Sequence, residues 1–242
     1  MENIQIENID IPIKSDNINL KGSIYYSSNT PSKAPWILNL AGMMDHRESY
    51  FVKFYSEKFA NAGYYVLAFD YRGHGETAEQ TGKNVLKMID QIFSDLTIVL
   101  TWIIENQSER LLDQKIALFG RSWGGAIILT RGFMDERAKI LIALCTRFDY
   151  RTVGNIKFPE EIVKRVSPKY ILKKEPLNDK RILIAHCRDD PRIPFENLIQ
   201  IKNQLELPEE NVIVFETGGH SFKEHRDDLF EIVIEFIKKN MK

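Results

Sequence analysis

The sequence predicts a doubly wound α/β sheet, and three observations carry that prediction. Short apolar runs alternate with amphipathic helical segments along most of the chain. A period-two pattern at the N-terminus adds a hairpin. A strand–turn–helix signature, LFGRSWGGA over 118–126, sits where such a sheet places its carboxyl edge.

The elements follow in order. Apolar residues at Ile4, Ile6, Ile9, Ile11 and Ile13, then at Leu20, Ile24 and Tyr26, alternate with polar ones, with one slip between Ile6 and Ile9. That pattern predicts an antiparallel hairpin with one wet face. The runs WILNL (36–40), YYVLAFD (64–70), KIALFG (115–120), KILIALC (139–145), RILIAHC (181–187) and NVIVFE (211–216) are too short for buried helices. They read as parallel strands covered on both faces. Between 84 and 106, Val85, Ile89, Ile92, Phe93, Leu96, Val99, Leu100 and Ile103 fall in steps of three and four, which predicts an amphipathic helix. The same logic gives a last helix over about 224–239, burying Leu229, Val233, Phe236 and Ile237. Strand–helix alternation of this kind builds right-handed crossovers with helices on both faces. One stretch breaks the rhythm, the segment at 148–179, which reads as a short helical lid over the strand ends. With no repeat and no linker composition, residues 1–242 read as a single domain carrying that insertion.

Composition narrows the function classes. The 242 residues are 43% hydrophobic and 28% charged, with a net charge of −1, so neither nucleic acid nor an anionic membrane surface is favoured as a partner. The opening MENIQIENIDIPIKSDN has no basic n-region or continuous apolar stretch, and no apolar run approaches the ~20 residues that span a bilayer. Two cysteines, Cys145 and Cys187, are too few for a disulfide framework. A cytoplasmic location is the expectation. The histidines are scattered and no H-E-x-x-H occurs, so no metal is expected. The glycine-rich pieces match neither dinucleotide nor P-loop patterns, so no cofactor is expected either.

The chemistry gathers at the strand ends. In G-R-S-W-G the glycines allow a turn so tight that the Ser122 hydroxyl stands clear of the backbone, and the following helix directs free N–H groups toward it. A serine needs a base. His220, in TGGHSF after the last strand, is best placed; His74 belongs to the tight RGHG turn, and His186 reads as a core histidine inside a strand. The base in turn needs a carboxylate. AHCRDDPRIP offers Asp189 and Asp190, and the D-x-x-I-P spacing favours Asp190, leaving Asp189 to bond the loop backbone.

The order Ser122, Asp190, His220 is that of the α/β-hydrolases, and the chain resembles their small-lid serine esterase and serine-aminopeptidase-like group. The resemblance is carried by LAGMMDHRES (40–49), LAFDYRGHGET (67–77), LFGRSWGGA, the 190–194 loop and GGHSF (218–222). It implies an α/β-hydrolase fold and an oxyanion hole formed by the N–H groups of Met43 and Trp123. Where many relatives read His-Gly-x, this chain reads Ala41-Gly42-Met43. The FDYRGHGET turn reads as structural, with Asp70 and Arg72 bracing the oxyanion loop rather than Arg72 or Glu76 touching substrate.

Large apolar residues beside the triad, Met44, Phe148, Ile193 and Phe222, together with Cys145, are the expected pocket lining. The basic run Lys164, Arg165, Lys169, Lys173 and Lys174 reads as a solvated face because Glu160, Glu161 and Glu175 lie close by. The expected function is a serine hydrolase, foremost a carboxylesterase acting on a small-molecule ester. Aminopeptidase, amidase and thioesterase chemistry on the same triad stay open, as does a ligand-binding homologue without catalysis. Sequence leaves acyl length and oligomeric state undetermined.

Overall fold

In the computed structural model, which describes residues 3–153 and 156–241, the predicted alternation is realised almost element by element. Strands β1 (Ile4–Ile13), β2 (Ile18–Ser27) and β3 (Ala34–Leu40) come first, followed by helix α1 (Tyr50–Asn61) and strand β4 (Tyr65–Phe69). A short α2 (Ala78–Thr81) and a long α3 (Ile89–Asn106) lead to β5 (Leu111–Arg121). Helix α4 (Trp123–Ile127) runs on as a widened π turn to Gly132, and β6 (Ala138–Leu144) follows. Next come a minimal hairpin of β7 (Thr152–Val153) and β8 (Ile156–Lys157), then α5 (Glu160–Val166), α6 (Pro168–Ile171) and α7 (Asn178–Arg181). Strand β9 (Ile182–Cys187), helix α8 (Glu196–Leu205), strand β10 (Val212–Phe215) and helix α9 (Arg226–Asn240) complete the order.

Eight strands form one sheet in the order β1-β2-β4-β3-β5-β6-β9-β10. The β1–β2 and β2–β4 pairs are antiparallel, and every other pair is parallel. The chain steps outward from β3 to β4 and returns past β3 to β5. A crevice therefore opens between the ends of β3 and β5, the topological switch point where open α/β sheets bind ligands.

Burial follows the pattern of apolar residues. Strand β4 is buried along its whole length, as are β9 and nearly all of β3 and β6. Strand β10 departs from the expectation of full cover. It stands at the sheet edge with one neighbour, and its residues are exposed or half-buried. In the hairpin Ile11 and Ile13 are buried, whereas Ile6 is 46% exposed. The β1–β2 pairing runs through without a bulge, so the slip in the sequence pattern turns Ile6 onto the wet face rather than kinking the strand.

Two boundaries move. The helix expected from 84 begins at Ile89, because Val85 and Met88 close a turn first (Met88 N–H to Val85 O, 3.2 Å) while Val85 stays buried. The 148–179 segment holds the β7–β8 hairpin as well as its short helices. Beneath the site, Tyr55 and Phe59 of α1 pack on Phe119 of β5 with ring centroids 4.8 and 5.1 Å apart. Such pairs add about 0.5–1.5 kcal/mol each beyond area burial and fix the strand that carries Ser122. Among the described residues, no helix is long and apolar enough to cross a membrane.

Candidate active site

Strand β5 ends at Arg121 and α4 begins at Trp123, so the reversal falls on one residue. Ser122 takes it up at φ 60° and ψ −113°, a conformation that costs roughly 1–3 kcal/mol in a residue with a side chain. The flanking glycines make the reversal possible by close approach. A Cβ on Gly124 would stand 2.3 Å from Leu40 O, and one on Gly120 2.9 Å from the same oxygen. Both are clashes with backbone, which cannot give way. The end of β3 therefore packs against the turn and brings Gly42 beside Ser122, where a Cβ on Gly42 would lie 3.6 Å from Ser122 Cβ. Neither the Met43 N–H nor the Trp123 N–H has a protein acceptor among the described residues. Both residues border the cavity that Ser122 borders.

The loop after β9 presents Asp190. Its Oδ1 accepts the N–H groups of Arg192 (2.8 Å) and Ile193 (3.1 Å), and its Oδ2 accepts His220 Nδ1 at 2.7 Å. His186 Nε2 approaches the same oxygen at 3.4 Å and lies 3.0 Å from Ile193 O. Burial opposes ionisation of Asp190, but the hydrogen bonds from His186 and His220 prevail and hold its carboxyl well below the usual range. An ionised Asp190 accepts only, so His220 carries its proton on Nδ1. His186 is wholly buried as expected, yet its Nδ1 has no partner among the described residues. Asp189 accepts Gly218 N–H (3.2 Å) and Gly219 N–H (2.8 Å), which ties the His220 loop to the Asp190 loop.

Arg121, the residue before the serine, went unnoticed in the sequence. Its buried guanidinium donates to Asp45 Oδ2 at 2.5 Å, to Ser221 Oγ and to His220 O at 3.5 Å, and stacks 4.2 Å over the Phe51 ring. One side chain thus joins the Met43 loop to the His220 loop. The FDYRGHGET turn is structural as expected, with Asp70 bracing the oxyanion loop, whereas Arg72 turns away from that loop to α3 and the β1–β2 turn. Asp70 binds the Arg47 backbone N–H (2.8 Å) and guanidinium, Tyr71 OH donates to Ala41 O (3.1 Å), and Arg72 pairs with Asp95 (2.8 Å) and Asp16. Glu76 pairs with Arg47 at 2.7 Å rather than reaching the cavity. His74 is buried and lies edge-on to Trp123, centroids 5.7 Å apart, with its pKa pushed down by burial.

A cavity of about 320 Å³ opens over Ser122, Trp123 and His220. Its apolar wall is Leu86, Ile89, Tyr150, Val153, Phe158 and Ile193. Of the five expected lining residues, Ile193 borders it and four do not. Met44 sits at φ 68° in its turn and is 76% exposed to solvent. Cys145 and Phe222 are wholly buried, Phe222 edge-on to Phe215 in the core. Phe148 faces a neighbouring groove. The wall is built by α3, the turn before it and the 148–179 segment, whose path decides that Tyr150, Val153 and Phe158 face the cavity and Phe148 does not. Cys145, Asp190 and His220 bring ligand-type atoms within 4.8 Å of one another. Burial pushes the Cys145 thiol well above its ordinary value, so it presents S–H rather than the thiolate that a metal needs.

Residues 32–200 match the family described as Hydrolase_4 (Serine aminopeptidase, S33). An uncharacterised 31.7 kDa protein of the traX-finO intergenic region of Escherichia coli is 30% identical over 89 residues, 37% of this chain and 29% of that relative. The match thus spans under a third of that relative's length. Among solved structures, Est1E from Butyrivibrio proteoclasticus with ferulic acid bound is similar at TM-score 0.76 and 20% identity, over 96% of this chain and 99% of that one. An acylaminoacyl peptidase from Pyrococcus horikoshii is similar at TM-score 0.76 and 18% identity, over 99% of this chain and 42% of that one. An esterase from Pyrococcus furiosus aligns at TM-score 0.68 and 21% identity, covering 99% and 94%.

Proposed function

Because the chain belongs to the Hydrolase_4 (serine aminopeptidase) family of α/β-hydrolases, we propose that it is a serine hydrolase acting on carboxylic esters through an acyl-serine intermediate. The observation that carries this reading is the Asp190–His220 bond of 2.7 Å at the rim of a cavity shared with the strained Ser122. With the Nδ1 proton held by Asp190, His220 Nε2 is left to accept the Ser122 hydroxyl proton. Ser122 Oγ then bonds to the carbonyl carbon, and its oxygen becomes an oxyanion facing the free N–H groups of Met43 and Trp123. Two such donors can each supply roughly 3–4 kcal/mol of transition-state stabilisation. Collapse passes the proton from His220 to the departing alcohol. Water, deprotonated by the same nitrogen, then releases the acid and restores Ser122.

Aminopeptidase action is the second reading, favoured by the family description. A substrate ammonium needs an unpaired carboxylate, and the one carboxylate bordering the cavity among the described residues, Asp45, is paired with Arg121. Glu160 is paired with Lys164 at 2.7 Å. These pairings favour the ester reading. A matched panel of chromogenic esters and aminoacyl amides tests it. Esters are expected to turn over, with Ser122→Ala losing at least roughly a thousandfold in kcat. Amide turnover without ester turnover moves the assignment to a peptidase, and ester turnover that survives Ser122→Ala removes the mechanism.

A further inference from the structure

Three arginines border the cavity, Arg121, Arg147 and Arg192. Arg121 is spent on Asp45 and the His220 loop. The other two are not spent. Neither the Arg147 nor the Arg192 guanidinium makes a hydrogen bond or an ion pair among the described residues; Arg192 is held through its backbone N–H, which donates to Asp190. The rest of the neighbourhood sharpens the contrast, because every cation of the basic run in the 148–179 segment has a carboxylate partner. Lys164 pairs with Glu160, Arg165 with Asp90, Lys169 with Asp149, Lys173 with Glu175 and Lys174 with Glu206. Within the cavity, Arg147 and Arg192 are the cations left without a carboxylate among the described residues.

Topology puts both charges on one side. Arg147 follows β6 and Arg192 follows β9, which are neighbours in the sheet, whereas the Met43 loop follows β3 on the other side of β5. The loop after β6 is also tied to the first turn of α8, into which the loop after β9 leads, since Phe148 N–H donates to Asn197 Oδ1 at 2.9 Å. A guanidinium is a rigid planar fork matched to a carboxylate, and two of them beside the apolar wall of the cavity form an anion-recognition device. We propose that Arg147 and Arg192 bind a carboxylate carried by the substrate, so that the preferred ester is anionic, with its charge on the β6–β9 side of Ser122. This rests on the ester-hydrolase reading and names its substrate class.

The test compares esters that differ only in that charge. On the acyl side, the mono-p-nitrophenyl ester of adipic acid is set against p-nitrophenyl hexanoate. On the alcohol side, 4-acetoxybenzoate is set against 4-acetoxybenzamide. The wild type is expected to prefer the anion in one pair by at least about tenfold in kcat/KM, the scale of one hydrogen bond to a charged group. The pair that shows it assigns the carboxylate to acid or alcohol. In Arg147→Gln/Arg192→Gln the ratio should fall to near one, and in the double Lys variant part of it should return. High salt should lower the wild-type ratio in the same direction. Anion and neutral ester turned over alike in both pairs by the wild type, or a preference unchanged in the double Gln variant, overturns the proposal while the ester reading stands. Turnover of neither ester, or turnover that survives Ser122→Ala, fails the ester reading itself.

Discussion

The floor and the wall of the cavity are built on different principles. At the floor, on the ends of β5 and β9, the groups that position the loops each make several bonds. Asp190 accepts from two backbone N–H groups and from His220, Asp189 accepts from two more, and Arg121 spans two loops. Ser122 keeps an unfavourable φ only because this surrounding structure leaves it no alternative. The wall, from α3, the turn before it and the 148–179 segment, is apolar at Leu86, Ile89, Val153 and Phe158, and beside it the loops after β6 and β9 carry two cations without partners, Arg147 and Arg192. A reacting group must be held to a fraction of an ångström, which calls for many bonds. A surface that selects a substrate must leave its own groups free for that substrate. The same cavity meets both demands by dividing them between different side chains.

Substitutions at the floor should therefore cost rate, and those at the wall should alter affinity and preference. After Ser122→Ala, the largest effect falls on Asp190→Asn, which should lower kcat by about a thousandfold or more by releasing the His220 tautomer, whereas Asp189→Asn should stay within about tenfold. The same pair separates by pH. The folded-state pKa of Asp190 is depressed, so its contribution to stability is present above the unfolded carboxyl value and fades as pH falls through the folded one. The stability gap between wild type and Asp190→Asn should be full above about pH 4 and shrink below it, as denaturant titrations at roughly pH 6 and pH 3 would show.

Arg121→Met comes next. It leaves Asp45 unpaired and frees the His220 loop, with an expected loss of roughly 2 kcal/mol, less than for a fully buried pair because Asp45 reaches water. Calorimetry should register that loss together with a fall in kcat. At the wall, Phe158→Ala should raise KM for a neutral ester severalfold, by about 3–10-fold, with kcat little changed, because the ring binds ground and transition state alike. A matching fall in kcat would place Phe158 with the floor and blur the division. The smallest effect belongs to the paired lysines outside the cavity. Lys164→Gln and Lys174→Gln should shift any preference for anionic esters by less than about twofold, since exposed pairs of this kind contribute little.

The division also explains what could be read from the chain. Strands and helices were legible because burial imposes its period on the sequence, from Ile11 and Ile13 in β1 to Val233 and Ile237 in α9. The residues of the floor were legible because tight turns demand particular side chains: Gly120 and Gly124 flank Ser122, and Asp190 stands three residues before Ile193. Arg121 lay inside the motif but in its variable place, so no pattern marked it. The wall was not legible. Leu86, Tyr150, Val153 and Phe158 meet only through the path of the 148–179 segment, in which Phe148 turns to a neighbouring groove, and Phe222, inside a motif, turns into the core. The run from Lys164 to Lys174, read as a solvated face, is paired throughout, whereas the two free arginines stand 45 residues apart in number, at 147 and 192, so no local pattern joined them.

The most direct test of the account is the site and rate of labelling by a fluorophosphonate, which reports an activated serine without assuming any substrate. Peptide mapping should find the adduct on Ser122 alone, formed rapidly in the wild type and at least about a hundredfold more slowly in His220→Ala. A label on another residue, or equal rates with and without His220, would contradict it.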